Sequence, residues 1–182
     1  MSKQVKLKDV VEIIMGQSPD SSTYNSAGIG HPFFQGKADF GKVYPTARSF
    51  CSNPTKIANE NDVLISVRAP VGDVNIADQT CCIGRGLAAI RERTGLSNYK
   101  FIFYYLQFLK PTLEQQGTGS TFKAINKNNI ENIDIPFLPL ETQQKIADVL
   151  DKAQALIDKR KEQLEKLDEL VQSVFYEMFG DP

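Results

Sequence analysis

The chain has 182 residues, 41% of them hydrophobic and 24% charged, with a formal net charge of −1. That make-up can bury a proper core, is not that of a disordered chain, and suits one domain with an appendage. No apolar run nears the roughly 20 residues of a bilayer crossing, and the start, MSKQVKLKDVVEII, lacks the apolar core of a signal peptide. A cytoplasmic protein without a membrane partner is therefore expected.

Cysteine usage agrees with that location. Cys51 and the adjacent Cys81 and Cys82 are an odd set, a poor disulfide framework, and reduced thiols are expected. With His31 as the single histidine they give no zinc spacing, so no metal site is predicted. Residues 1–140 carry 15 basic and 12 acidic side chains, and residues 141–182 carry 6 and 10. The mildly basic front is weak evidence for a polyanion partner, since dedicated nucleic-acid domains often have a pI above about 9.

In chain order, "DVLISVRAP" (62–70) and "GDVNIA" (72–77) read as strands joined by a tight Pro-Val-Gly turn. "TCCIGRGLAAIR" (80–91) continues in strand-like residues. "SNYKFIFYYLQFLKPTLEQQ" (97–116) reads as a helix capped by Ser97. Tyr99, Ile102, Phe103, Leu106 and Leu109 fall at helical spacing, thickened by Phe101, Tyr105 and Phe108. "STFKAI" (120–125) and "IENIDIPFLPL" (130–140) read as short extended pieces that close the domain.

The chain divides near Pro136–Pro139. From Thr142 to Met178 there is neither proline nor glycine, good helix formers dominate, and Gly180 and Pro182 supply a stop. A helix of that length spans roughly 55 Å, more than a domain this size needs for its own core. Leu150, Ile157, Leu164 and Val171 keep one heptad position, and Ala153, Arg160, Leu167 and Val174 the other, with Arg160 alone breaking the seam. The pattern predicts a coiled-coil stripe that needs a partner helix. The expected class is α+β: a β-rich globular domain over 1–140, one long helix over 141–179, and a tail, 180–182.

Catalytic motifs are missing from the sequence. Gly84-Arg85-Gly86-Leu87-Ala88-Ala89 fits G-x-G-x-x-A, but the residues before Gly95 are too few for a crossover helix, which rules out a dinucleotide fold. A Ser-His-Asp or Cys-His system would have to use His31, and nothing else supports one. No Asn-Pro-Pro-aromatic motif of base methylation is present. What remains is a binding module. Arg68, Arg85, Lys37 and Lys123 stand at strand ends or glycine turns, with Ser120 and Thr121 beside Lys123, and such positions suit phosphate contacts. Gln35 is placed to read a base edge.

"FFQGKADFG", "NDVLISVRAPVGDVNIA", "CCIGRGLAAIR", "GSTFKAINKNNIENIDIPFLPLETQQKIADVLDKAQALIDKRKEQLEKLDEL" and "FYEMFGDP" closely resemble the specificity subunits of type I restriction-modification systems, from Val5 to Pro182. The resemblance implies a target recognition domain followed by a conserved spacer helix, non-catalytic in itself. Family members commonly hold two such units, whose helices pair antiparallel and set the distance between two DNA-reading domains. This chain holds one unit. The implied partners are double-stranded DNA and methylation subunits, through which a restriction subunit joins. S-adenosylmethionine would be bound by the methylation subunit, so no cofactor is expected here. A homodimer through Leu150, Ile157, Leu164 and Val171 is expected, since two-fold closure is the commonest. The competing reading is a decoy that pairs with a specificity or methylation subunit without reading DNA. Target choice is expected in the less typical segments, Asp20 to Gly30 and Tyr44 to Lys56.

Overall fold

The computed structural model describes residues 3–116 and 124–180. The chain falls into two units, 1–144 and 145–182. The first opens with strand β1 (Gln4–Lys6), a single helical turn α1 (Leu7–Val10) and strand β2 (Val11–Met15). Three short strands follow, β3 (Tyr24–Asn25), β4 (His31–Phe34) and β5 (Phe50–Cys51), and then β6 (Ile57–Ala58). Next come β7 (Val63–Ser66), β8 (Val74–Ile76), β9 (Cys81–Ile83) and β10 (Leu87–Glu92). Helix α2 (Tyr99–Gln116), the short α3 (Lys127–Glu131) and β11 (Asp134–Pro136) lead to the long helix α4 (Leu140–Phe179).

The strands form a four-stranded sheet ordered β2-β10-β7-β8, a five-stranded sheet ordered β3-β5-β4-β9-β6, and a β1-β11 pair. Strand side chains alternate between faces, and this places Leu64 of β7 and Leu87 and Ala89 of β10 in one cluster. Phe34, Ala58, Cys81 and Ile83 of the five-stranded sheet complete it. The core therefore lies between the two sheets. α2 packs against β7 and β8 through a face that buries Ile102, Phe103 and Leu106. Each such side chain removed from water contributes about 1.5–3 kcal/mol. Among buried polar groups, Asp62 is 3% exposed and takes a two-pronged guanidinium contact from Arg91, at 3.0 and 2.8 Å.

Several expected elements stand where the residue patterns put them, including the β7–β8 hairpin and the long helix. Three expectations change. Ser97 does not cap α2: its buried hydroxyl donates to the Val10 carbonyl at 2.7 Å, and Asn98 Oδ1 accepts the Phe101 N–H instead. Phe108 is 76% exposed, and Leu113, five residues further on, is buried in its stead. The segment from residue 130 begins as the last turn of α3, because Asn126 and Asn129 cap each other's backbone across a capping box. The extended part is β11 alone. "TCCIGRGLAAIR" is two strands, β9 and β10, broken at Gly84–Gly86.

α4 is held at its start by Gln143, 3% exposed. Its amide donates to the carbonyls of Leu96 and Leu138 at 3.0 and 2.9 Å and accepts from the Asn98 N–H at 2.9 Å. In the second unit α4 keeps its heptad stripe exposed: Leu164 is 62% accessible, Leu167 55% and Val171 67%. Leu150, Ala153, Ile157, Arg160 and Val174 are exposed as well. Val149, Leu156 and Leu170 add an adjoining exposed apolar row that the two-position seam does not include.

Candidate nucleic-acid interface

Antiparallel pairing of β10 with β2 and β7, and of β7 with β8, puts four strand ends together: Met15, Ser66, Val74 and Leu87. The parallel pairing of β4 with β9 brings Phe34 and Ile83 to the same end, because a turn of three residues joins β9 to β10. Four loops therefore leave the two sheets side by side: 16–18, 35–37, 67–73 and 84–86.

The backbone ties these loops to one another. Gly84 N–H donates to the Phe34 carbonyl at 2.8 Å, Val67 N–H to Gly86 at 2.9 Å, and Gln17 N–H to Ile83 at 3.0 Å. The Leu87 N–H closes a tight turn on the Gly84 carbonyl at 3.0 Å. A Cβ on Gly86 would lie 2.2 Å from the Gln35 carbonyl oxygen, and one on Gly16 would lie 2.1 Å from that of Gly84. The glycines of the G-x-G motif thus serve close backbone approach between loops, not a pyrophosphate, and no helix follows them.

Arg85 stands exposed at the tip of this turn, with its N–H directed at Ser18 Oγ, 3.4 Å away. Gln35 is exposed across the close contact, its own N–H held by Asp39 Oδ2 at 2.8 Å. Arg68 is exposed just past β7, and its loop is shaped from beneath by buried Ser66. That hydroxyl donates to the Pro70 carbonyl at 2.6 Å and stands 2.9 Å from that of Arg68. The Ala69–Pro70 bond is cis, and Gly72 has a φ of +88°, a conformation that favours glycine. Arg68 bridges to Ala124, where the described chain resumes. Ser120, Thr121 and Lys123 lie outside the described residues.

Gln35, Arg68 and Arg85 are thus brought to one end of the sheets, and neither arginine makes an ion pair among the described residues. Lys37 leaves the same end but is not free: its Nζ is 2.9 Å from Asp73 Oδ2. Lys110 of α2 donates to Asp73 Oδ1 at 2.7 Å. Burial pushes the Asp73 carboxyl up, but the two ammonium groups outweigh it and hold the group below its ordinary value. Ser18, Asp73 and Lys110 escape the sequence reading because their partners are 36 to 67 residues away and no local pattern marks them.

The segments expected to choose the target are placed differently. Asp20 caps the turn 21–23, and Asn25 Oδ1 accepts from the N–H groups of Ala27 and Ile29 at 3.1 and 3.0 Å. These loops lead into the start of β4, the end opposite Phe34. Tyr44 lies nearer the interface, on a turn that buried Asn75 fastens through both the N–H and carbonyl of Gly41.

Cys81 and Cys82 are poor nucleophiles. Burial, the largest cause, pushes the thiols of Cys81 and Cys82 up to about 12, so neither is a thiolate at neutral pH. Among the described residues no three His, Cys, Asp or Glu side chains group as metal ligands. The arrangement can bind a polyanion and read polar edges.

Comparison with known proteins agrees in kind. Residues 2–168 match the family model of the type I restriction modification DNA specificity domain. The chain is 52% identical over 158 residues to the putative type I restriction enzyme MjaX specificity subunit of Methanocaldococcus jannaschii, covering 85% of this chain and 37% of that protein. It is 47% identical to the crystal structure of the HsdS subunit from Thermoanaerobacter tengcongensis, with a TM-score of 0.82, over 98% of this chain and 44% of that one. A chain from a structure concerned with complex assembly and conformational transition of the type I R-M system gives 48% identity and a TM-score of 0.86, over 94% and 43%. The chain spans roughly two fifths of the length of these relatives. With its residues matched almost end to end, it belongs to the family of type I restriction-modification DNA specificity domains.

Proposed function

We propose that this chain reads one half of a split DNA target and places a methylation subunit on it, without catalysing a reaction itself. The convergence of Gln35, Arg68 and Arg85 on four interlocked loops carries the reading. Guanidinium groups at strand ends, without an ion pair among the described residues, give salt-dependent docking on phosphates, and the Gln35 amide has both a donor and an acceptor to offer a base edge. Any base to be methylated must leave the stack, and that step, with S-adenosylmethionine, belongs to the partner.

The exposed stripe of α4 supports an assembly role. Apolar residues at three heptad positions, not two, make a face wider than a two-stranded seam needs. A second copy of the chain closes the a/d seam by two-fold pairing, and the adjoining row of Val149, Leu156 and Leu170 is left for the methylation subunit.

The experiment that tests the reading is a genome-wide map of modified adenines, with and without the gene. Loss of one split motif is the expected result, and two inverted copies of one half-site would follow from the homodimer. Retention of every motif while the methylation genes are expressed would refute the specificity role. In vitro, Arg68→Ala should weaken binding to all duplexes and lower the salt slope by about 1.

A further inference from the structure

The loop end of the sheets holds a second feature that the interface above does not use. A notch of about 350 Å³ lies between the 37–42 segment, the start of β8 and α2, lined by Lys37, Lys42 and Lys110 around Asp73. Asn75 and Gln107 add amide groups, and Gly41 and Gly72 add bare backbone. The frame is rigid. Asn75, 1% exposed, clasps Gly41 with hydrogen bonds of 3.0 and 3.1 Å, and the Ile76 N–H holds the Val43 carbonyl at 2.8 Å. Asp73 is itself fixed, its carboxylate side chain only 17% accessible.

Three lysines and one carboxylate line the notch, so it is cationic on balance. Glu114 stands 3.8 Å from Lys110 but does not line it. Among the described residues Phe40 is the only aromatic in the lining, so these residues offer no pair of rings between which a base would stack. What it offers is charge and hydrogen-bond donors, which suit a phosphate. Asp73 draws the Lys37 and Lys110 side chains inward at 2.9 and 2.7 Å, and so orders two long flexible cations before any ligand arrives.

We propose that this notch seats a phosphodiester group of the DNA backbone, with Lys42 and Lys110 as its contacts and Asp73 as the residue that positions Lys110. The proposal rests on the DNA-reading function above. Arg68 and Arg85 then contact the duplex at one place and the notch holds it at another, which fixes the register in which Gln35 meets the groove. A backbone phosphate carries no sequence, so the notch contributes equally to every duplex.

The test uses the full chain and two fluorescein-labelled duplexes, one with the mapped motif and one scrambled, followed by anisotropy across a salt series. The double variant Lys42→Gln/Lys110→Gln should lose about one unit of the log–log salt slope and bind about 5- to 10-fold more weakly at 0.1 M salt, on both duplexes. Lys42→Arg/Lys110→Arg should restore slope and affinity, and Lys8→Gln, a control at an exposed position of α1, should change neither. Thermal melting of each variant separates lost contacts from lost fold. If the wild type shows a salt slope that the double variant reproduces, the notch is not a phosphate site while the DNA reading stands. Weakening on the motif duplex alone would also overturn the notch, since it would mean base reading. If the wild type shows no salt-dependent binding, the DNA reading fails and the notch with it.

Discussion

Gly86→Ala tests the interlock that holds the binding loops. The added methyl would lie 2.2 Å from the Gln35 carbonyl oxygen and 3.4 Å from the Gly36 Cα, both backbone atoms that cannot rotate away. Relief requires the 35–37 and 84–86 loops to part by roughly 1 Å, in a packed region with little freedom to yield. Overpacking of this kind costs about 1–3 kcal/mol. For a chain of 182 residues that is a fall in Tm of about 3–10 °C, read by circular dichroism. Gly36→Ala is the matched control. Its Cβ would meet nothing within 4 Å, and its φ of −177° is extended backbone open to any residue, so its Tm should stay within about 2 °C of wild type. Below both melting transitions, Gly86→Ala should also bind DNA more weakly than Gly36→Ala, because the displaced loops carry Arg85 and Gln35. A Gly86→Ala protein that melts with the wild type would refute the close approach and the role given to the G-x-G motif.

Arg91→Ala strands the Asp62 carboxylate, 3% exposed, with the Asn59 N–H at 2.8 Å as its remaining hydrogen bond among the described residues. An unpaired buried charge costs about 3 kcal/mol or more, so the urea midpoint should fall sharply, while Glu12→Gln, which removes an exposed partner 3.7 Å from Arg91, should stay within about 0.5 kcal/mol. Cys81 and Cys82 hold their protons up to about pH 12 when folded, against about 8.5 in an open chain. The stability linked to those neutral thiols is fully present below about pH 8.5 and is lost as pH rises from there towards 12. A Cys81→Ala/Cys82→Ala protein should show a smaller alkaline loss of denaturation free energy, and iodoacetamide should label neither thiol in the native wild type at pH 7. Leu164→Lys puts a charge into the a/d seam where Leu164 is 62% exposed. Light scattering at micromolar concentration should find twice the 20.3 kDa chain mass for wild type and the single mass for the variant; a wild-type monomer would refute the dimer.

Local signals made the long helix and the hairpin legible. An uninterrupted run of helix formers needs no tertiary information, and neither does a Pro-Val-Gly turn between two apolar strands. The cap of α2 was not legible in the same way. Ser97 and Asn98 are both good cap residues, and the choice falls to Asn98 because the Val10 carbonyl, 87 residues away, claims the Ser97 hydroxyl. α3 rests on a capping box of two asparagines, a weak signal beside the apolar run "IENIDI" that follows. At the interface, glycine-flanked cations marked Arg85 and Lys37 as exposed turns, which they are. Sequence alone could not show that Lys37 shares Asp73 with Lys110, since that triangle joins a loop, a strand start and a helix.

The interlock also bears on how one frame could serve different targets. Gly16 and Gly86 pack backbone on backbone, where a Cβ would meet a carbonyl oxygen at 2.1 and 2.2 Å, and a Cβ on Gly84 would lie 3.2 Å from the Gln35 Cα and the Phe33 ring. Such positions resist change whatever the target, so they belong to the frame. The loop 25–29 is different: it is held by the Asn25 side chain, and its apolar tip, Ile29, is 62% exposed. Tyr44, 51% exposed, likewise projects from a turn fastened through the backbone of Gly41, Val43, Tyr44 and Thr46. Side chains at these two tips can be exchanged without disturbing a buried contact. Replacing Tyr44, on the side nearer the interface, should therefore alter which sequence is bound, while leaving thermal stability and the salt slope on scrambled DNA unchanged; replacing Ile29, at the end opposite the interface, should alter none of the three. The reverse pattern, a lost fold with the target retained, would place sequence choice in the frame itself.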